Sequence, residues 1–183
     1  MNTILHPMET TAPEYLYHNC IMQATLAQVE QASVWYHDAQ DVAHNVASNL
    51  GVSMEVGASI VAAFSPRERW SSNVHKALSF SMGMQVKGLT NNIKMANDAL
   101  ELGFDALKGQ KTNAFARAIA GDTDAVVIDV WMIRAAGMDA SKGVNKSDYN
   151  MLADTVRKIA SEHGLTPRTA QALIWIVKRG SAE

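Results

Sequence analysis

Apolar residues recur through most of this chain at intervals of three and four, the spacing that turns one face of an α-helix toward a core. The segments are rich in Ala, Leu, Met and Gln and are interrupted by Gly and Pro. No run alternates apolar with polar residues between turn residues as a strand would. The pattern predicts an all-α fold with helices over 14–33, 35–50, 54–64, 67–82, 90–102, 111–120, 129–137, 147–163 and 167–179. Asn49-Leu50-Gly51 ends one of these, with glycine available for a left-handed cap. Ser65-Pro66 ends another, because proline disfavours helical geometry in the residue before it. His163-Gly164 ends a third, and Thr166-Pro167 starts the last helix with Thr as N-cap and Pro at the first helical position. Residues 137–146 read as a loop. Residues 1–13, which include Pro7 and Pro13, read as a loose arm ahead of one helical domain over 14–183.

Composition narrows the class. A chain of 183 residues with 48% hydrophobic content is one domain with enough apolar material for a sizeable core. The single cysteine, Cys20, excludes a disulfide framework, a four-cysteine iron–sulfur cluster and a cysteine-based zinc site. No stretch approaches the roughly 20 apolar residues of a membrane span. The N-terminus has neither the basic flank nor the apolar run of a signal peptide. The expected location is therefore the cytoplasm of a bacterial or phage-infected cell, with no membrane partner. The net charge of −2 is unevenly spread: residues 1–66 carry six acids and no Lys or Arg, whereas 67–183 carry all 16 basic residues against 12 acids. That asymmetry is compatible with a one-sided phosphate-binding surface and equally with ordinary variation. His37, Asp41 and His44 share helical spacing and could in principle hold zinc, but they also fit a solvated polar face, and no second cluster completes a metal site. There is no glycine-rich nucleotide loop and no nucleophilic serine elbow.

The densest chemical pattern is a lysine and an aspartate 18 residues apart. Lys111 opens K-T-N-A-F-A-R-A-I in the first turn of a helix, and Asp129 stands between the apolar run A-V-V-I and the helix V-W-M-I-R. An amine and a carboxylate on one cleft supply a nucleophile and the group that activates it. Around them, Leu107-Lys108-Gly109-Gln110-Lys111-Thr112-Asn113-Ala114 resembles the L-P-G-h-G-x-K-T-A-N hairpin of the helix-hairpin-helix DNA glycosylase superfamily, which includes endonuclease III. Val127-Ile128-Asp129-Val130-Trp131-Met132-Ile133-Arg134 resembles its V-D-x-H-x-x-R segment. Ala62-Ala63-Phe64-Ser65-Pro66-Arg67, followed by Trp70 and Asn73, resembles its apolar helix and S-x-Q turn. The matched part runs over roughly 55–137, with the three segments in the family's order. The S-P-x-x-x-W-x-x-N and D-x-W-x-x-R patterns are also similar to an uncharacterised group of small phage and actinobacterial proteins.

The resemblance implies a two-lobed, glycosylase-like helical domain that needs no cofactor and acts on a modified base in DNA. Lys111 would be the Schiff-base nucleophile and Asp129 the catalytic carboxylate. Ser65, Arg67, Trp70, Asn73, Lys108, Gly109, Gln110, Trp131 and Arg134 would meet substrate or DNA, with Phe64, Trp70 and Trp131 available to stack on an extruded base. A lysine amine must lose its proton before it attacks, and Lys108 and Arg134 are the nearby charges expected to help. The chain departs from the pattern at the hairpin, which is two residues shorter and loses a glycine and an apolar residue from the turn that presents backbone N–H groups to a phosphate. Trp131 also replaces the family's histidine. A phage-type base-modification enzyme, or a non-enzymatic module that binds DNA or protein through the same fold, therefore remain alternatives. Outside the resemblance, Asp129 suits an N-cap, Lys111 a solvated first turn, Arg134 a structural ion pair, and the tryptophans a core. The target base and the oligomeric state are not legible.

Overall fold

The structure, a computed structural model, describes residues 11–180. Every regular element among them is helical: α1 (Pro13–Met22), α2 (Leu26–Leu50), α3 (Met54–Phe64), α4 (Trp70–Ser81), α5 (Thr90–Leu102), α6 (Gln110–Ala120), α7 (Val130–Ala135), α8 (Lys146–Glu162) and α9 (Pro167–Arg179), with a 3-10 turn at Gly103–Ala106. The fold is all-α. No single described helix is long and apolar enough to cross a membrane. The arm expected over 1–13 lies outside the described residues up to position 10. Pro13 already belongs to α1, at the first helical position where its missing N–H costs nothing.

Two boundaries differ from the sequence reading, each for a local reason. The first break falls at Gln23–Thr25, not near position 34. Thr25 forms a capping box: its hydroxyl accepts from the Gln28 N–H (3.3 Å) while the Gln28 carboxamide accepts from the Thr25 N–H (2.9 Å). The helix so started runs unbroken to the left-handed Gly51. The helix expected from 67 begins instead at Trp70. Arg67 holds a positive φ of 63°, and the Glu68 N–H bonds the Ser65 carbonyl (3.2 Å), so 65–68 is a tight turn. A non-glycine residue there costs about 1 kcal/mol.

α3 is the central strut, buried from Gly57 to Phe64. It lies directly on α2, where a Cβ at Gly57 would meet the Ala43 carbonyl and sit 2.8 Å from the Ala47 Cβ. The larger hydrophobic cluster joins α2, α3, α5 and α6 with Leu173 and Ile176 of α9. A smaller cluster gathers Tyr17, α7 and α8 with Ala170 and Ile174 of the same α9. Helix α9 is thus shared, and its Trp175 packs against both clusters.

The extended segment between α6 and α7 stitches the same seam. Ala125 and Val127 point into the larger cluster, Val126 and Ile128 into the smaller. This is the two-residue alternation of an extended chain. Tyr149 of α8 clamps the segment: its hydroxyl accepts from the Ile128 N–H (3.2 Å) and donates to the Val126 carbonyl (3.1 Å). Burial pushes the Tyr149 phenol above its ordinary value, so it stays a donor. The residue this clamp delivers to the seam is Asp129.

Candidate active site

A cleft of about 700 Å³, its open mouth included, lies on this seam. Lys111, itself exposed, stands at the start of α6 and Asp129, half-buried, at the start of α7, and both residues line the one cavity. Ser65, Trp70 and Asn73 line it as well.

Asp129 is held by three donors. Its Oδ1 accepts from the Trp131 and Met132 N–H groups (2.9 and 3.0 Å), and its Oδ2 accepts from the Trp175 indole Nε1 (2.9 Å). A carboxylate offers about four acceptor directions, so roughly one is left over on Oδ2. All three donors are neutral, and no described cation pairs with Asp129 within 4.0 Å. Its charge reaches outward instead: after burial, the Asp129 field is among the influences that raise the phenols of Tyr17 and Tyr36. Lys111 likewise makes no ion pair within that distance among the described residues. Glu68, the other carboxylate on the cleft, is committed elsewhere. It pairs with the Lys76 ammonium and accepts from the Ser72 hydroxyl (2.8 Å), and these contacts hold it below the ordinary carboxylate range.

Aromatic walls surround the pair. Trp35 stands at their centre, with ring centroids 4.7 Å from Tyr36, 5.3 Å from Trp70, 5.9 Å from Phe115 and 6.0 Å from Trp175. Of the four tryptophans in the chain, Trp35, Trp70 and Trp175 line this one cavity. Tyr36 is buried, and burial holds its phenol protonated well above the ordinary value. It donates to the Gln171 carboxamide oxygen (2.7 Å). Arg179 stacks 4.7 Å over Trp175 and reaches the mouth. Beside the mouth, Arg69, Trp70, Ser71 and Arg179 shape a smaller depression.

Several residues expected at the site lie elsewhere. Phe64 is buried in the larger cluster and does not line the cleft. Trp131 is half-buried outside the cavity, under the Arg134 guanidinium at 4.7 Å, so Arg134 serves a stacking contact on its own helix. Lys108 and Gln110 line a separate polar depression with Asp122, Asp124, Arg117 and Arg157. Gly109 caps α6 through its backbone and lines none of the described cavities. Arg67 is exposed on the turn that carries Ser65 and Glu68. His37, Asp41 and His44 are all exposed, and no group of three metal-ligating side chains occurs among the described residues.

Across its length, residues 11–182 match a family model described as a family of unknown function (DUF7178). The chain belongs to that family. No curated protein and no solved structure matches it. The residues of this member that the sequence did not flag are Trp35, Tyr36, Phe115, Gln171, Trp175 and Arg179. Phe115 lies one turn after Lys111 on α6, whereas the others come from α2 and α9, elements distant in sequence that only the fold brings to Lys111 and Asp129.

Proposed function

We propose that the protein is a glycosylase-like enzyme that breaks or remodels the N-glycosidic bond of a base in DNA, on a two-lobed helix-hairpin-helix scaffold with a shortened hairpin. The observation that carries this reading is the opening of Lys111 and Asp129 onto one aromatic cleft. The tryptophan walls suit a flat ring taken out of the helical stack. The neutral Lys111 amine attacks the sugar C1′ as the C1′–N bond breaks with its electron pair going to the base; the nitrogen then gives a proton to Asp129, and the C1′–O4′ bond opens, its electron pair taking a proton as the 4′-hydroxyl, to leave a Schiff base between Lys111 and C1′. Asp129, whose charge no described cation neutralises, stabilises the positive charge growing on the sugar and accepts a proton from the amine. Trp175 keeps that carboxylate aimed, and Arg69 and Arg179 at the rim suit a flanking phosphate.

The test is base release from single- and double-stranded oligonucleotides carrying a panel of modified bases. Release is expected with at least one of them, reduced about 10²–10³-fold by Asp129→Asn. Absence of any released or altered base across the panel defeats the reading.

A second reading, a binding module without catalysis, is favoured by the hairpin. Its face is charge-balanced, with Asp122 and Asp124 beside Lys108, and Arg157 already paired with Asp124 (3.0 Å) and Asp154 (2.8 Å). Such a face gives a duplex backbone little to hold. Under that reading the partner is a protein: oligonucleotides bind weakly to the wild type and to Asp129→Asn alike, and no product forms.

A further inference from the structure

Asn73 is buried, with 1% of its surface exposed, and lies on the cleft wall. Both its carboxamide oxygen and its carboxamide nitrogen lack any hydrogen-bond partner, and among the described residues no other side chain has a buried polar atom left this way. The contrast with its peers is direct. Asn92 donates to the Pro66 carbonyl, Arg168 to the Ala118 carbonyl, Ser59 to the Glu55 carbonyl, and Gln171 accepts from Tyr36. Asn73 occupies an inward position of α4, one turn after Trp70 and one turn before the fully buried Ala77. A leucine of similar size would fill that position without leaving a donor and an acceptor unmet. A buried amide kept at such a cost calls for an explanation, and its place on the cleft wall points to a ligand that completes it.

We infer that Asn73 is the specificity-determining residue of the cleft, reading a nucleobase edge that carries a hydrogen-bond donor beside an acceptor. A carboxamide presents one donor and one acceptor in a single plane, which matches the paired edge groups of a base. The surrounding tryptophan, tyrosine and phenylalanine rings supply stacking but no such discrimination. The amide thus sets which flat ring is retained, while Lys111 and Asp129 act on the sugar. The inference rests on the nucleobase-directed reading of the same cleft, but it concerns recognition and not bond breaking.

The experiment is quenching of tryptophan fluorescence, since three of the four tryptophans line the cleft. The probes are adenosine, guanosine, cytidine and thymidine, titrated to millimolar concentration against the wild-type chain, Asn73→Leu and the control Lys94→Met. At least one nucleoside quenches the wild type saturably, and its affinity falls about tenfold or more in Asn73→Leu. The same substitution raises Tm by about 2–6 °C, because it removes two unmet polar atoms from the interior. Lys94→Met, a change on α5 away from the cleft, binds the nucleoside as the wild type does. If none of the four quenches, or if Asn73→Leu binds equally well, the inference is overturned. A lower Tm in Asn73→Leu also overturns it, since the amide would then be a structural group. Saturable, Asn73-dependent binding without base release would sink the catalytic proposal alone, and base release that ignores Asn73 would sink this inference alone.

Discussion

Lys111 and Gln110 are consecutive residues at the start of α6, about 100° apart around the helix axis, and they serve two different surfaces. Lys111 faces the aromatic cleft, where Asp129 has no cationic partner and Asn73 has no partner at all. Gln110 faces the hairpin depression, where nearly everything polar is satisfied. Its Nε2 donates to Asn150 (3.1 Å), Asn113 donates to the Phe104 and Leu107 carbonyls, and Arg117 donates to the Asn113 carboxamide oxygen (2.9 Å). One surface holds a carboxylate without a cation and an amide without a hydrogen bond, and the other has closed in on itself. Unmet groups in a defined cavity mark where a ligand is expected, whereas a closed polar network mainly holds the hairpin in shape.

The contrast can be broken most severely at Lys111. Lys111→Ala is expected to lower sugar chemistry by a factor on the order of 10³ or more with the fold intact, whereas Lys108→Ala should change it less than about twofold. Single-turnover assays on both variants compare the surfaces directly. An equal loss in the two would mean that the hairpin face takes part. Asp129 should separate function from folding. Asp129→Asn keeps a good cap residue and should leave stability within about 0.5 kcal/mol, while Asp129→Ala should cost about 1 kcal/mol, read as a Tm lower by about 2–4 °C. Both should lose activity, so a thermal melt distinguishes the cap from the catalyst. Trp175→Phe keeps the aromatic wall but removes the indole donor to Asp129. A fall in turnover of about tenfold, with Tm changed by only a few degrees, is expected, and unchanged turnover would show that the bond does not aim the carboxylate.

The smallest effect is acid sensitivity. Glu68 is held below its ordinary value of 4.5, first by its hydrogen bond with Lys76 and then by that with Ser72. A depressed carboxylate contributes stability that is present above its unfolded value and is lost as pH falls through the folded one. Wild type should therefore lose stability relative to Glu68→Gln below about pH 4.5, with parallel behaviour above it. Melts across pH 3–6 would show the two curves converging as the medium is acidified, and curves that keep a constant separation would remove Glu68 from the account.

The parts of this molecule visible in its sequence are those written locally. Gly51, Pro66 and Thr166-Pro167 announce helix ends, and the structure puts the ends there. The Thr25–Gln28 capping box was equally local, but apolar periodicity on both sides masked it, so the first break is misplaced without a view of the cap. The turn at Arg67 could not be read, because nothing in an arginine signals a left-handed backbone. At the cleft, Lys111 and Asp129 stand out because motif spacing is a local property. Trp35 and Trp175 do not, since each is brought in by a helix that packs there for reasons of its own. Asn73 was visible as a residue, but only its burial shows that its amide is unmet.

Chemistry at a sugar carbon by the Lys111 amine, beside Asp129, would leave a covalent trace. The most direct measurement is borohydride reduction of the protein incubated with modified-base oligonucleotides, followed by peptide mass spectrometry of any covalent adduct. An adduct on Lys111 is expected, absent in Lys111→Ala and strongly reduced in Asp129→Asn. An adduct mapped to another lysine, or none with an oligonucleotide whose base is demonstrably released, would contradict it.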